Sequence, residues 1–291
     1  MINKFNHTTK IIGVLGHPIK HSFSPLMHNL SFELLNLDYI YLPFDVPPTH
    51  LKDALKGIRA LGIKGFNVTL PLKEKIIQYI DELSEEASTI GAVNTVVNDN
   101  GVLHGYNTDV NGIIVALDKH KKKFSGKVAT VIGGGGAARS VIYSLIRNFK
   151  VDRINLINRT VQKAESLRDY FESKTHYENF KVYELVPPDV VDVISGSNLV
   201  VNTSSIGMFP EIDDSPTSIE QSFNSEQIVF DVVYNPVKTK FLTIAESSGS
   251  TIVSGLEMFV EQGKKSFELW TGEVMPSERI YQTLKGYLEK N

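Results

Sequence analysis

Cysteine is absent from this 291-residue chain, which excludes disulfides, thiolate catalysis and cysteine-based zinc sites. Long apolar runs are absent as well. No stretch approaches the roughly 18 residues of a membrane-spanning helix, and the N-terminal MINKFNHTTK has no signal-peptide core, so a cytoplasmic location is expected. Charge of one sign is not in excess: 30 Lys and Arg face 33 Asp and Glu, for a net charge of −3. The one dense basic run, KHKKK at 119–123, reads as a solvated surface loop, and neither nucleic acid nor membrane is expected as a partner. The serines lack a G-x-S-x-G elbow, which argues against a hydrolase. His17, His21 and His28 crowd one region, but their spacing would need a continuous helix that Pro18 and Pro25 interrupt, so no metal is expected.

What is present is an α/β pattern of two-domain length. Strand-like and helix-like segments alternate from IIGVLG through SPLMHNLSFELLN, YIYLPFDV and HLKDALKGIRALG to the strand GFNVTL. KEKIIQYIDELSEEAS then reads as a helix. AVNTVVND and VLHGYNTD read as a strand pair turning at Asn100 and Gly101. After Asp109 a helix leads into a second series: the strand RINLINRT, the helix TVQKAESLRDYFES, the strands within DVISGSNLVVNTSSIG and QIVFDVVYNP, then STIVSG and two C-terminal helices. The polar residues 172–184 read as a surface excursion with no assigned role.

The most informative segment is VATVIGGGGAARSVIYSL, where a β-branched run breaks into four glycines that open directly into a helical pattern. Gly133, Gly135 and Ala138 fall on the G-x-G-x-x-[G/A] spacing. That pattern gives a tight turn, close backbone approach to a pyrophosphate and helix–strand packing, with helix amides facing the phosphates. An NAD site would carry an acid about 20 residues on, at the end of the next strand. Here the strand ends in Asn158, Arg159 and Thr160, and Lys163 follows. Two cations in place of the acid suit the 2′-phosphate of NADP, although the same pair could simply solvate a helix face. Thr203, Ser204 and Ser205 follow a buried strand at the edge where open α/β sheets bind ligands, so that loop is expected to touch the cofactor.

Taken together, GHPIKHSFSP, GFNVTLPLKE, GAVNTVV, GYNTD, GGGGAARS, NRT, NTSSIGM, VVYNP and SGLEMFVEQGKKSFELW resemble, in order and spacing, the shikimate/quinate dehydrogenase family over nearly the whole chain. The resemblance implies an N-terminal α/β substrate domain (1–109 and 256–291) and a Rossmann-like NADP domain (110–255), with the C-terminal helices packing back on the first domain. It also implies reversible NADPH-dependent reduction of 3-dehydroshikimate to shikimate, a step of aromatic amino-acid (chorismate) biosynthesis, without metal. Lys73 resembles the catalytic lysine and Asp109 its partner. On composition alone, Lys73 reads first as the start of an exposed helix after Pro71, and the resemblance reverses that reading. Ser22 and Ser24 resemble the pair that holds the substrate carboxylate, their alternative being a helix cap. Asn67, Thr69, Asn94 and Asp109 match positions around the ring hydroxyls, and Tyr234 and Gln262 match further substrate residues. The resemblance extends the cofactor set to Gly133, Gly134, Gly135, Gly136, Ala137, Ala138, Asn158, Arg159, Thr160, Lys163, Thr203, Ser204, Val232, Gly255 and Met258. A homodimer is the oligomer it leaves open.

Two departures stand out. Gly134 replaces the family's usual alanine, which removes only a methyl, and Lys163 stands where many relatives have arginine, which predicts looser discrimination against NAD. A quinate/shikimate enzyme preferring NAD is the alternative reading, and a catalytically silent nucleotide sensor on the same fold a further one.

Overall fold

The computed structural model describes residues 6–186 and 188–290, which divide into two α/β units. One comprises the chain up to Thr108 together with Val260–Leu284; the other comprises Asp109–Phe259 and the residues from Lys285 onward.

In the first unit, β1 (Lys10–Gly16) is buried over its last five residues and pairs in parallel with β2 (Tyr39–Asp45) and β3 (Gly65–Val68). The sheet continues from β3 into β5 (Thr95–Asp99) and β6 (Val102–Tyr106), both pairings antiparallel, and ends on the two-residue β4 (Glu82–Leu83). Asn100 and Gly101, both at positive φ, make the expected β5–β6 turn. The carboxyl ends of β1, β3 and β6 and the amino end of β5 consequently share one edge of the sheet. α1 (Ser24–Leu34) and α2 (Leu51–Ala60) flank it, Leu51, Leu55 and Ile58 of α2 packing with Phe66, Val68 and Val96.

Residues 73–88 are not the single helix read from periodicity. After one 3₁₀ turn, Ile77–Tyr79, the backbone extends, and the amides of Asp81 and Ser84 donate to Leu103 and Gly105 across the sheet rather than to carbonyls four residues back. The Asp81 carboxylate accepts from Arg59 (2.6 Å) and from the Leu103 amide (2.7 Å), which hold it below the usual carboxylate range and pin the chain there. The helix begins afresh at α3 (Glu85–Ile90), where Ser84 Oγ caps the Ala87 amide.

The second unit is a wholly parallel sheet in the order β12-β11-β10-β7-β8-β9. Its strands are β7 (Val128–Ile132), β8 (Arg153–Asn158), β9 (Phe180–Glu184), β10 (Leu199–Asn202), β11 (Ile228–Asp231) and β12 (Thr251–Val253). The order reverses direction between β7 and β10, as in doubly wound nucleotide-binding folds. α4 (Asp109–Asp118), α6 (Gly136–Arg147) and α7 (Val161–Thr175) supply one buried layer, and α8 (Val191–Ser195) and α9 (Lys240–Ser247) the other.

Two sequence readings are corrected here. Residues 172–184 are no excursion: they finish α7 and form the edge strand β9, where Phe180 and Val182 pack on the core behind polar neighbours that face solvent. The basic run is not a loop, because Phe124 folds it into the helical turn α5 (Lys121–Phe124) by burying its ring against Phe149. Helix α9, absent from the sequence reading, starts at the Thr239 cap.

α10 (Gly255–Thr271) and α11 (Ser277–Leu288) complete the chain. Gly65 has no side chain because a Cβ there would meet the indole of Trp270, whose Nε1 donates to Val96 O (2.9 Å). Beside it, His28 is fully buried, stacked on Tyr41 (4.5 Å) and edge-on to Trp270 (5.3 Å), with no hydrogen-bond partner for either ring nitrogen among the described residues. Burial lowers its pKa to about 3, so the ring is neutral in the fold. The unfolded chain takes up this proton below about pH 6.5 while the folded chain does not, so stability drains away as pH falls from 6.5 toward 3. His28→Phe keeps the stacking and removes the proton. Its unfolding free energy is expected to exceed that of the parent by an amount that grows by about 2–4 kcal/mol between pH 7 and pH 4 in urea titrations, whereas a constant difference would contradict the assignment.

Candidate active site

In the first unit the topology gathers the short polar side chains at one sheet edge. Ser22 and Ser24 follow β1. Phe23 is the cap position of α1, and Ser22 Oγ accepts the Ser24 amide (3.3 Å). One serine therefore serves the helix start. Asn67 lies in β3, with Thr69 and Lys73 just beyond, held by Thr69 N to Leu15 O (2.9 Å) and by Val93 N to Lys73 O (2.8 Å). Asn94 precedes β5 and is locked between strands: its carbonyl accepts the Val68 amide (2.8 Å) and its amide donates to Tyr106 O (3.1 Å).

Behind these residues lies a buried polar cluster that sequence reading missed. The Asn67 side chain accepts from Tyr41 Oη (2.7 Å) and donates toward Asn94 O, Thr95 Oγ1 and Ser266 Oγ (3.1 Å each). Asn94 Nδ2 donates to Thr108 Oγ1 (2.9 Å) and toward Gln262 Oε1 (3.4 Å), and Asn94 Oδ1 accepts the Thr108 amide (2.7 Å). Gln262, unremarkable on an amphipathic helix, is only 9% exposed. Thr95, Thr108 and Ser266 lie within GAVNTVV, GYNTD and SGLEMFVEQGKKSFELW but carry no assigned role there, and Tyr41 lies in none of those segments.

In the second unit, Asp109 is the first residue of α4 and is buried. The glycine cradle lies where strand order reverses. Gly133 adopts φ +113°, and a Cβ on it would fall 2.6 Å from Thr203 Oγ1, so the loops after β7 and β10 touch there only because the residue is glycine. Gly135 caps α6 without any side-chain hydrogen bond, and a Cβ on it would meet nothing within 4 Å. First-turn amides left open in this way, with Gly136, Ala137 and a fully buried Ala138 following, suit a phosphate-bearing ligand. At Gly134 a Cβ would meet Asn158 at an ordinary 3.6 Å, so the missing methyl relieves no clash. β8 ends at Asn158, whose Nδ2 donates to Thr160 O (2.8 Å). α7 begins at Val161, which leaves exposed Arg159 before the helix and exposed Lys163 in its first turn, with no acid at the strand end.

Thr203 bonds back to Ile132 O through both its amide and its hydroxyl (2.8 Å each), and Ser204 is fastened by its amide and hydroxyl to Asn202 Oδ1. Val232 donates to Asn202 O, Tyr234 stacks on Phe259 at 4.0 Å, Gly255 accommodates the Val232 and Val233 carbonyls, and Met258 packs in the core. Another unforeseen group is Asp231. Buried, it accepts from Thr239 Oγ1 (2.7 Å), Asn202 Nδ2 (3.0 Å) and the Val233 amide (3.0 Å). Among the described residues no cluster of three or more His, Asp or Glu could hold a metal, and no helix is long and apolar enough to cross a membrane.

A parallel sheet with a glycine loop at its reversal point and a cationic end to its second strand defines a dinucleotide-dependent enzyme class, here joined to a second α/β unit rich in polyol-type donors. The comparisons narrow this. Residues 14–96 match the shikimate dehydrogenase substrate binding domain, 115–214 the shikimate / quinate 5-dehydrogenase family and 255–285 the shikimate 5'-dehydrogenase C-terminal domain. A shikimate dehydrogenase (NADP(+)) of Caldanaerobacter subterraneus subsp. tengcongensis is 44% identical over 284 residues, 97% of this chain and 99% of that one. A shikimate dehydrogenase solved in complex with NADP+ superposes with a TM-score of 0.88 at 38% identity, covering 98% of this chain and 97% of that one. The Thermus thermophilus shikimate 5-dehydrogenase, in complex with NADP(H) and shikimate, gives 0.82 at 34% identity, covering 96% and 100%. The chain belongs to the shikimate dehydrogenase family.

Burial raises the Asp231 pKa to about 7 against the pull of its three donors. The unfolded carboxyl loses its proton near pH 4 and the folded one near 7, so this group's contribution to stability falls as pH rises through that window. Asp231→Asn abolishes that dependence: the parent's stability relative to the variant should drop by about 2–4 kcal/mol from pH 4 to pH 7 and stay level above, as read by urea unfolding, and a pH-independent difference would refute it.

Proposed function

We propose that this protein catalyses the reversible NADP-dependent interconversion of shikimate and 3-dehydroshikimate, a step of aromatic amino-acid biosynthesis. The observation that carries the reading is whole-length kinship with NADP-dependent shikimate dehydrogenases, spanning both units. NADP, when bound, supplies the hydride acceptor or donor.

The chain's own residues supply the rest. Gly133 to Ala138 and the α6 amides hold the pyrophosphate, Arg159 and Lys163 hold the 2′-phosphate with Asn158 and Thr160 shaping the turn, and Thr203, Ser204, Val232, Gly255 and Met258 border the nicotinamide side. Ser22 and Ser24 take the substrate carboxylate, while Asn67, Thr69, Asn94, Tyr234 and Gln262 address the ring hydroxyls. Lys73 hydrogen-bonds the reacting oxygen. As the ketone is reduced its ammonium stabilises the growing negative charge and delivers a proton, and in the reverse direction the amine receives it; Asp109 is the residue that the family resemblance pairs with it.

Support for NADP over NAD comes from the two cations at a strand end that carries no acid. Arg159→Ala and Lys163→Ala are each expected to raise the KM for NADP+ by about 10–100-fold and to leave that for NAD+ within about twofold. Equal losses for both nucleotides would remove the 2′-phosphate role. Lys73→Ala should lower kcat with shikimate by about 10²–10³-fold while NADP+ affinity, followed by fluorescence titration, holds. Wild-type protein turning over NAD+ or quinate in preference would place it on the quinate side of the family.

A further inference from the structure

We propose that Ser266 is a positioning residue for substrate recognition, closing a ring of three buried hydroxyls that holds the side-chain amides of Asn67 and Asn94 in place. The proposal rests on the assignment of those two asparagines to the substrate site.

Ser266 Oγ lies 2.7 Å from Thr95 Oγ1 and 3.0 Å from Thr108 Oγ1, and the two threonine oxygens are 3.1 Å apart. Three separate elements thus contribute one hydroxyl each: α10, the start of β5 and the segment after β6. Ser266 and Thr95 are 0% exposed and Thr108 2%. Each hydroxyl donates one proton and accepts up to two, so three protons are shared between the contacts within the ring and those to its surroundings. Its surroundings are the two asparagines: Thr95 and Thr108 donate toward Asn94 Oδ1 (3.0 and 3.2 Å), Asn94 Nδ2 returns a bond to Thr108, and Asn67 Nδ2 divides its protons among Thr95, Ser266 and Asn94 O. Backbone groups tell oxygen from nitrogen in each carboxamide, Thr108 N donating to Asn94 Oδ1 (2.7 Å) and Asn94 O accepting from Asn67 Nδ2 (3.1 Å), and the hydroxyls hold the amides in that sense, which decides whether each presents an acceptor or a donor to a hydroxylated ring.

Ser266 is the member whose presence calls for explanation. It sits in a helix beside Phe267 and Trp270, where alanine would cost nothing to bury and where a serine bonded only to its i−4 carbonyl, here Gln262 O at 3.1 Å, slightly disfavours the helix. Its lateral bonds compensate. Gln262, one turn earlier on the same helix, brings its own amide to Asn94, so α10 sends two consecutive side chains of one stripe into the cluster. In a buried network the loss of one oxygen leaves its partners unsatisfied.

The test is steady-state kinetics of shikimate oxidation by NADP+ for the wild type, Ser266→Ala, Thr95→Val and Thr95→Ser. Ser266→Ala and Thr95→Val each remove a ring oxygen and are expected to raise the KM for shikimate about tenfold, with the KM for NADP+ and kcat within about threefold; Thr95→Ser restores the hydroxyl and should restore the KM. The double variant Ser266→Ala/Thr95→Val should cost less than the product of the two single effects, because the ring is already open. If Ser266→Ala does not fold, Thr95→Val against Thr95→Ser carries the comparison. An unchanged shikimate KM, or parallel changes in the KM for both substrates, overturns the proposal while leaving the enzyme assignment standing. A wild type inactive with shikimate and NADP+ would overturn that assignment and the proposal with it.

Discussion

Buried polar groups must find partners or the fold loses stability, and both units of this protein are organised by that constraint at the sheet edges proposed to bind ligand. In the first, Asn67 and Asn94 reach the strand ends as part of a closed set of amides and hydroxyls. In the second, the Asp231 carboxyl ties the ends of β10 and β11 to the Thr239 cap of α9. Each cluster is buried, short-range and joined in part by residues distant in sequence. The loops expected to touch ligand are therefore seated on rigid, satisfied platforms, which is how a site holds reacting atoms to a fraction of an ångström.

The cofactor side depends on close approach. Gly133 allows the loop after β7 to lie against Thr203, which is itself bonded back to Ile132, so the two loops on either side of the strand-order reversal are fixed together. The open first turn of α6 and the cations before and within the start of α7 follow from local sequence: glycine at the cap without a competing side chain, and a strand that ends without an acid.

Periodicity made the parallel unit legible, because its strands are continuous β-branched runs bounded by turn residues, and the glycine loop marked its reversal point. It failed where tertiary bonds outbid a local pattern. Residues 73–88 carry helical spacing, yet Asp81 is held by Arg59 and by the backbone of β6, and the chain extends. β9 was lost among polar residues because an edge strand needs only alternate apolar positions, here Phe180 and Val182. The likeness to a known family named Asn67, Asn94 and Gln262, but Thr95, Ser266 and Asp231 act through partners that only the fold brings near, Ser266 reaching Asn67 across 199 positions and Asp231 reaching Asn202 across 29, and no linear motif encodes that.

The most direct test of the account is a crystal structure with NADP+ and shikimate bound. It should place the 2′-phosphate between Arg159 and Lys163, and the shikimate hydroxyls against Asn67, Asn94 and Lys73, with the asparagine amides still bonded to Thr95, Thr108 and Ser266. Shikimate bound away from the edge formed by β1, β3, β5 and β6, or a ribose facing away from the two cations, would contradict it.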